Sequence, residues 1–138
     1  MLRIPAPLYA QVLGHCVEGL PDEACGLLGG DPTGAVRRCY PTRNIAASAK
    51  LYEVDPVAHL RADRDAEANG LAIIGVFHSH THTDAYPSPT DVAQAPDPDW
   101  HYVLVSLRDT QPVLRSYRIS GGRIDEEPVI VEEDGSAP

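Results

Sequence analysis

An apolar run in the middle of the chain, residues 71–78, sets the tightest limit on the fold. It reads LAIIGVFH and follows an Asn69-Gly70 pair that is typical of a helix end. A short run of apolar and β-branched residues bounded by such a turn is characteristic of a buried strand. We therefore predict that 71–78 is the central strand of a sheet.

The remaining patterns place helices and strands in a mixed order around this strand. Helices are predicted at 7–20, where apolar residues recur at helical spacing, and at 56–68. A short helix begins after Ser88, which suits an N-cap, and stops before Pro96. This order predicts an α+β fold with a mixed sheet. Further strands are predicted at 23–28, 36–40, 51–54, 100–107, 113–119 and 123–131.

Length and charge narrow the class of protein. With 138 residues the chain suits a single domain, which we place at 1–131 with a disordered tail at 132–138. The net charge of −9, from 11 basic and 20 acidic residues, lacks the basic footprint of nucleic-acid-binding proteins. No apolar run approaches the roughly 20 residues that cross a bilayer, and the N-terminus lacks a secretory signal. We therefore expect a cytoplasmic protein that binds neither nucleic acid nor membrane.

The predicted central strand ends in two histidines, His78 and His80. Residues i and i+2 of a strand share a face, so both imidazoles project together and Ser79 points away. A catalytic zinc site takes three protein ligands and leaves a fourth position for water. Asp91, brought back by the short helix that Ser88 caps, is the predicted third ligand. A His-x-His pair alone is a weak signal, since two exposed polar residues give the same pattern.

A zinc hydrolase also needs a group that passes a proton from the bound water to the leaving amine. We predict Glu23 for this role, because packing does not explain a carboxylate at the mouth of an apolar strand. The alternative is that Glu23 and Asp22 are two acids in a solvated loop.

The three cysteines, Cys16, Cys25 and Cys39, are odd in number and form no Cys-x-x-Cys pair. We expect free thiols packed as small apolar groups. A cysteine-protease mechanism with Cys25 as the nucleophile is disfavoured, because apolar neighbours raise the pKa of a thiol. Cys25 still shares a strand face with Glu23 and can line the same site.

Together these residues resemble the signature of JAMM (MPN+) metalloproteases: a glutamate upstream, then His-[Ser/Thr]-His, seven residues, Ser, two residues and Asp. Glu23, His78, His80, Ser88 and Asp91 occupy these positions. The resemblance implies a curved mixed sheet flanked by helices, with a cytidine-deaminase-like architecture. It implies one Zn²⁺ per chain on His78, His80 and Asp91. Glu23 would be the general acid/base, and Ser88 would help to stabilise the oxyanion.

The loop after the second histidine departs from the family pattern, since Thr81 stands where many members carry proline. His82 in this loop is a poor candidate ligand among its polar neighbours. His101 is expected to be packed or hydrogen-bonded, whereas His15 and His59 are expected at the surface. We also expect Tyr86 and residues 44–52 to border a substrate groove, where an extended Gly-Gly tail of the substrate adds to a sheet edge by backbone pairing.

Within the family the chain resembles the bacterial Mec-type peptidases, which hydrolyse the bond between cysteine and the C-terminal glycine of a ubiquitin-like sulfur-carrier protein. The resemblance implies that partner, with its Gly-Gly tail, and release of free cysteine for cysteine biosynthesis. Two alternatives stay open. A deconjugase for another ubiquitin-like modifier is disfavoured by the short chain, and a non-catalytic MPN-type scaffold by the complete ligand set. The shared segments are PDEACG at 21–26, HSHT at 78–81, AYPS at 85–88, HYVLVS at 101–106 and LRSYRI at 114–119.

Overall fold

The computed structural model describes residues 1–133, so residues 134–138 of the predicted tail lie outside the described part. Glu132, which we placed in that tail, is the last residue of a strand. In chain order the elements are β1 (Leu2–Pro5), α1 (Ala6–Glu18), β2 (Cys25–Gly30), β3 (Val36–Thr42), α2 (Pro56–Ala68), β4 (Ala72–His80), α3 (Pro89–Ala93), β5 (His101–Ser106), β6 (Val113–Ser120), β7 (Arg123–Glu127) and β8 (Val129–Glu132).

Six strands form one mixed sheet in the order β3-β2-β4-β5-β6-β7, and β1 pairs with β8 in a second, two-stranded sheet. β4, the predicted central strand, pairs antiparallel with β2 and parallel with β5. The other neighbours in the large sheet are antiparallel. The predicted α+β fold with a mixed sheet is therefore confirmed.

The two faces of β4 pack against different helices. Phe77 belongs to a core cluster that includes Cys16 of α1, whereas Val76 belongs to a cluster that includes Ala62 of α2. Because successive strand residues point to opposite faces, the two histidines at the end of β4 continue the face of Val76. The two imidazoles therefore lie on the face of the sheet that packs against α2.

Local capping signals explain where the helices on this side begin. α2 has the predicted bounds, and the Asp55 carboxylate accepts a hydrogen bond from the Val57 N–H at 2.9 Å. α3 begins after Ser88, whose hydroxyl oxygen accepts from the Asp91 N–H at 3.0 Å. The predicted cap at Ser88 is thus confirmed, and it fixes where the first turn carries Asp91.

Two predicted strands are wrong in detail. Residues 51–54 form no strand, because Val54 makes only an isolated bridge to Asn44. The predicted strand at 123–131 is interrupted at Pro128, whose nitrogen has no hydrogen to donate to a ladder. Its two parts, β7 and β8, therefore join different sheets.

The short strand β1 is absent from the sequence prediction. It pairs in parallel with β8 at the other end of the described chain, with Leu2 opposite Val129. β2 begins at Cys25, two residues later than predicted.

All three cysteines are free, as predicted. Within residues 1–133, no helix has the length and apolar character to cross a bilayer.

Candidate metal centre and active site

The three predicted ligands come together at the end of β4. His78 Nε2 lies 3.3 Å from His80 Nε2, and Asp91 Oδ2 lies 3.2 Å from the first nitrogen and 3.0 Å from the second. β4 supplies both imidazoles from one face, and the first turn of α3 supplies the carboxylate. We call these three side chains the ligand triangle.

The ligand triangle has the size and chemistry that a tetrahedral zinc ion requires. Zinc bonds of about 2.0–2.1 Å place ligand atoms about 3.3 Å apart around a tetrahedron. The three observed separations, 3.0, 3.2 and 3.3 Å, are close to that value. Two imidazoles and one carboxylate also leave a fourth position open, which is the pattern of catalytic sites. The residues present therefore fit a catalytic metal.

Hydrogen bonds outside the triangle fix the orientation of its members. His80 Nδ1 lies 2.8 Å from the Asp84 carbonyl oxygen, to which it donates, so that Nε2 faces the centre. The Ser88 N–H donates to Asp91 Oδ2 at 2.9 Å, and this bond completes a capping box. Backbone groups of the loop and of the helix start thus hold two of the three ligands.

The electrostatics of the triangle favour the ligand forms of Asp91 and His78, whereas at His80 the lowering effect of burial is outweighed by hydrogen bonds with Asp91 and Asp84, which raise the pKa. Burial alone would raise the pKa of Asp91, but hydrogen bonds with His78 and His80 outweigh it and hold that pKa well below its usual range. Burial lowers the pKa of His78, which favours the neutral imidazole that binds metal. The Tyr52 ring stacks on His78, with centroids 4.1 Å apart and planes at 18°, and covers one face of that ligand.

Glu23 is buried beside the triangle. Glu23 is only 6% exposed, and its Oε1 atom has no hydrogen-bond partner among the described residues. Burial raises its pKa to about 7, and smaller Coulombic effects of His80 and Asp91 act in opposite directions. Buried polar atoms are nearly always paired, so an unpaired carboxyl oxygen here indicates a functional group. The alternative of a solvated loop is wrong for Glu23.

Four hydrogen bonds to backbone groups hold the segment that carries Glu23. Its N–H donates to the Ser48 carbonyl at 2.8 Å, and its carbonyl accepts from Asn44 Nδ2 at 2.9 Å. The next residue, Ala24, donates to Ser79 Oγ at 2.9 Å and accepts from the Ser79 N–H at 3.0 Å. Ser79 lies on the other face of β4, as predicted, but its contact with Ala24, which joins the two parts of the site, was not predicted.

The variant loop is tied to its neighbour by the residue that replaces proline. Thr81 is buried, and its hydroxyl donates to the Ala49 carbonyl at 3.2 Å. This bond links the loop after the ligands to residues 44–52, the segment predicted to border the substrate groove. His82 is exposed and lies outside the triangle.

The remaining histidines divide between confirmed and wrong predictions. His101 is buried and hydrogen-bonded to Glu127 at 2.6 Å, as predicted. His15 is half-buried rather than on the surface, because its Nε2 lies 3.0 Å from the carbonyl oxygens of both Cys25 and Thr42. His59, on α2, is likewise half-buried: its side chain is 36% exposed and its ring centroid lies 5.7 Å from that of Trp100.

Cys25 is paired directly with His78 across β2 and β4, so the two side chains share the site face. Its thiol contacts Thr42 Oγ1 at 3.4 Å, and burial raises its pKa. A thiol with a raised pKa is a poor nucleophile at neutral pH, which argues against a cysteine-protease mechanism.

A mixed sheet between helices, with two histidines at the end of its central strand and an aspartate on the short helix that follows, defines the JAMM class of hydrolases. Residues 5–120 match the family model described as prokaryotic homologs of the JAB domain. The chain belongs to this family. The resemblance inferred from Glu23, the histidine pair and Asp91 is therefore confirmed at the level of the family.

Named relatives agree with this assignment. The chain is 45% identical over 136 residues to the CysO-cysteine peptidase of Mycobacterium tuberculosis. The aligned region covers 96% of this chain and 92% of the relative. It is 33% identical over 111 residues to the desampylase of Haloferax volcanii, with 76% and 80% covered. The chain is accordingly a peptidase of the JAB-domain family.

Solved structures agree on the fold. A protein of Desulfitobacterium hafniense superposes with a TM-score of 0.89 at 38% identity, over 97% of this chain and 94% of that one. A JAB1/MPN domain protein from Archaeoglobus fulgidus superposes with a TM-score of 0.63 at 18% identity, over 96% and 98%. The JAMM/MPN-like architecture that the sequence predicts is therefore confirmed.

Proposed function

We propose that this protein is a zinc-dependent hydrolase that releases cysteine from the C-terminal glycine of a ubiquitin-like sulfur-carrier protein. The observation that carries the proposal is the buried, unpaired Glu23 carboxyl group beside the ligand triangle. A cluster with a purely structural role leaves few such atoms unpaired. The 45% identity to a CysO-cysteine peptidase supports this substrate class.

His78 Nε2, His80 Nε2 and Asp91 Oδ2 are the atoms that would hold the zinc ion. When bound, zinc lowers the pKa of a water ligand to about 7 and polarises a carbonyl oxygen. The chain contributes the geometry: the fixed imidazole of His80, the capped carboxylate of Asp91 and the stacked ring of His78. One ion per chain suits the one triangle found among the described residues.

Glu23 moves the proton in this scheme. A carboxyl group with a pKa of about 7 exchanges its proton near neutral pH, where general acid–base catalysis is most efficient. Glu23 accepts a proton from the attacking water as the water oxygen bonds to the glycine carbonyl carbon. It donates that proton to the cysteine nitrogen as the carbon–nitrogen bond breaks. The products are the carrier's C-terminal carboxylate and free cysteine.

Ser88 can serve as both helix cap and oxyanion donor, because the two roles use different atoms. Its oxygen accepts from the Asp91 N–H at 3.0 Å, and its hydroxyl hydrogen stays available to donate. A donor aimed at a developing oxyanion is worth on the order of 3 kcal/mol. In this proposal, the residue that caps α3 and positions Asp91 also supplies the hydroxyl group that donates to the oxyanion.

Cleavage of an isopeptide bond is the second candidate, favoured by the 33% identity to a desampylase. The departing amine is then a lysine side chain of a modified protein, and the ligand triangle and Glu23 keep their roles. A non-catalytic scaffold is disfavoured, because the triangle is complete and Glu23 lies beside it unpaired.

Mass spectrometry of two substrates separates these candidates. The zinc-loaded protein is incubated with a carrier–cysteine adduct or with a carrier joined to lysine, each with and without chelator. We expect the first substrate to lose one cysteine, chelator to abolish the loss, and added zinc to restore it. Cleavage of the lysine conjugate alone would select the second candidate. An intact adduct and an intact conjugate would overturn the hydrolase assignment.

A further inference from the structure

A pocket of about 220 Å³ adjoins the ligand triangle on the same face of the sheet. Leu27 of β2 and Val76 of β4, which pair directly across the two strands, contribute to its lining. Tyr52 is the wall that the pocket shares with the metal centre, because the same ring stacks on His78. Trp100 adds a further aromatic wall. The mechanism described above leaves this pocket without a role.

Strand geometry fixes the distance from the triangle to the pocket. Val76 and His78 are two positions apart on β4, so their side chains share a face and lie about 6.6 Å apart along the strand. An extended substrate chain advances by the same ~3.3 Å per residue. For a substrate chain that runs along β4 with its scissile carbonyl at His78, the residue two positions away carries its side chain over Val76.

The identity of that residue follows from the shape of the substrate and rests on the proposed function. Beyond the scissile bond the substrate has a single residue, cysteine, so no side chain lies two positions away on that side. Before the bond, two positions from the final glycine, lies the residue that precedes the Gly-Gly pair. We infer that the pocket binds the side chain of this residue and selects carriers in which it is apolar.

The size and charge of the pocket favour an apolar occupant. An apolar cavity of about 150 Å³ holds a benzene molecule, so about 220 Å³ accommodates a leucine side chain. Apolar surface dominates the lining, which is formed by Leu27, Val54, Val76, Pro96 and Trp100. His59 and Gln94 add polar groups, and Glu53 adds a negative charge at an exposed position. An acidic side chain would lose its hydration against the apolar lining and be repelled by Glu53.

Trp100 makes occupation of the pocket measurable without turnover, because it is the only tryptophan of the chain. The zinc-loaded protein is titrated with mature carriers that end in Leu-Gly-Gly, Ala-Gly-Gly or Asp-Gly-Gly while Trp100 fluorescence is recorded. We expect the Leu carrier to bind about tenfold more tightly than the Ala carrier and to shift the emission, with the Asp carrier weakest. Equal affinities, or an emission that no carrier changes, would overturn the inference.

Two matched substitutions locate the selectivity. Val54→Phe fills the pocket, whereas Val57→Phe adds the same ring on α2 at a residue that is 55% exposed and outside the lining. With carrier–cysteine adducts, we expect Val54→Phe to raise KM for the Leu adduct and to abolish its advantage over the Ala adduct. Zinc content stays unchanged in both variants, and Val57→Phe keeps the wild-type preference.

The outcomes separate this inference from the proposed function. If wild-type protein cleaves all three adducts with the same kcat/KM, the hydrolase assignment stands and the pocket inference fails. A Leu preference that persists in Val54→Phe also overturns the inference. If the zinc-loaded protein cleaves none of the adducts, the proposed function fails and the pocket inference fails with it.

Discussion

Two buried clusters of histidine and carboxylate lie near opposite ends of neighbouring strands, and they differ in one respect. At the start of β5, His101 Nδ1 lies 2.6 Å from Glu127 Oε2, which also accepts from Ser116 Oγ at 2.7 Å. The other Glu127 oxygen accepts from the Met1 amino group at 2.8 Å. At the end of β4, by contrast, Glu23 Oε1 has no partner among the described residues.

The contrast shows how partners, rather than burial, decide what a buried carboxyl group does. Burial acts to raise the pKa of both residues. At Glu127 the hydrogen bonds, led by that from His101, outweigh burial and lower the pKa to about 2. At Glu23 burial prevails and the pKa rises to about 7. The first group is a permanent anion that stabilises the fold, and the second is a group that can exchange protons.

The largest expected effect is on turnover in Glu23→Gln. The amide keeps the shape of the side chain but cannot carry the proton, so we expect kcat to fall by about 10²–10⁴-fold. Zinc content and the free energy of unfolding should change little, since no hydrogen bond of the Oε1 atom is lost. Cleavage of a carrier–cysteine adduct, metal analysis and denaturant unfolding measure these three quantities.

Asp22→Asn is the matched control for that substitution, because it neutralises the neighbouring, half-exposed carboxylate. We expect wild-type kcat in the control. Equal losses in both variants would show that the local charge matters rather than the Glu23 proton, and full activity in Glu23→Gln would remove Glu23 from the mechanism.

Glu127→Gln should show the opposite pattern. Removing one partner of a buried charged pair costs about 3–5 kcal/mol of stability. We therefore expect the free energy of unfolding, measured with denaturant, to fall by that amount while kcat stays unchanged. Glu126→Gln is the control: its carboxylate pairs with Arg115 at 2.9 Å on an exposed surface, where such a pair is worth at most about 1 kcal/mol. A large loss of activity in Glu127→Gln at permissive temperature would contradict the division between the two clusters.

Acid should weaken the fold through the same residue. The folded-state pKa of Glu127, about 2, lies below the ordinary glutamate value of 4.5, so its contribution to stability is complete above pH 4.5 and is lost as the pH falls through 2. From this shift we expect the free energy of unfolding of the wild-type protein to fall by about 3 kcal/mol more than that of Glu127→Gln across this pH range. The Met1 amino group and Arg118, whose Nη1 lies 3.9 Å from Glu127, are its charged neighbours, and His101 is its hydrogen-bond partner.

Both proteins are measured without metal, so that release of a bound metal does not contribute to the difference between their free energies of unfolding. The measurement is urea unfolding at several pH values between 2 and 5. Parallel curves for wild-type protein and Glu127→Gln would show that the buried cluster does not hold Glu127 ionised.

The predictions that succeeded from sequence alone rest on local patterns. Strand alternation placed the two histidines of β4 on one face, and the Ser88 cap placed Asp91 in the first turn of α3, so short-range geometry brought the three side chains together. The bounds of α2 followed from equally local signals, Pro56 in the first turn and Asn69-Gly70 after the last one.

The features that escaped prediction depend on contacts between distant segments. β1 exists because it pairs with β8 at the other end of the described chain, and no local pattern reveals that partner. His15 looked like a surface residue of a helix until β2 and β3 supplied two carbonyl oxygens for its Nε2. Ser79 carries no signal beyond its position between two histidines, yet its contact with Ala24 joins the strand of ligands to the segment of Glu23.

Ser79→Ala tests whether that contact positions Glu23 or only stabilises the fold, and it should give the smallest effect. The buried Ala24 N–H would lose its acceptor, which costs about 1–2 kcal/mol of stability. If the contact also sets the position of Glu23, kcat falls by about tenfold with KM and zinc content unchanged. Ser120→Ala, at the exposed end of β6, is the control. Loss of stability with wild-type kcat would reduce Ser79 to a structural residue, whereas loss of zinc would place its influence on the ligands rather than on Glu23.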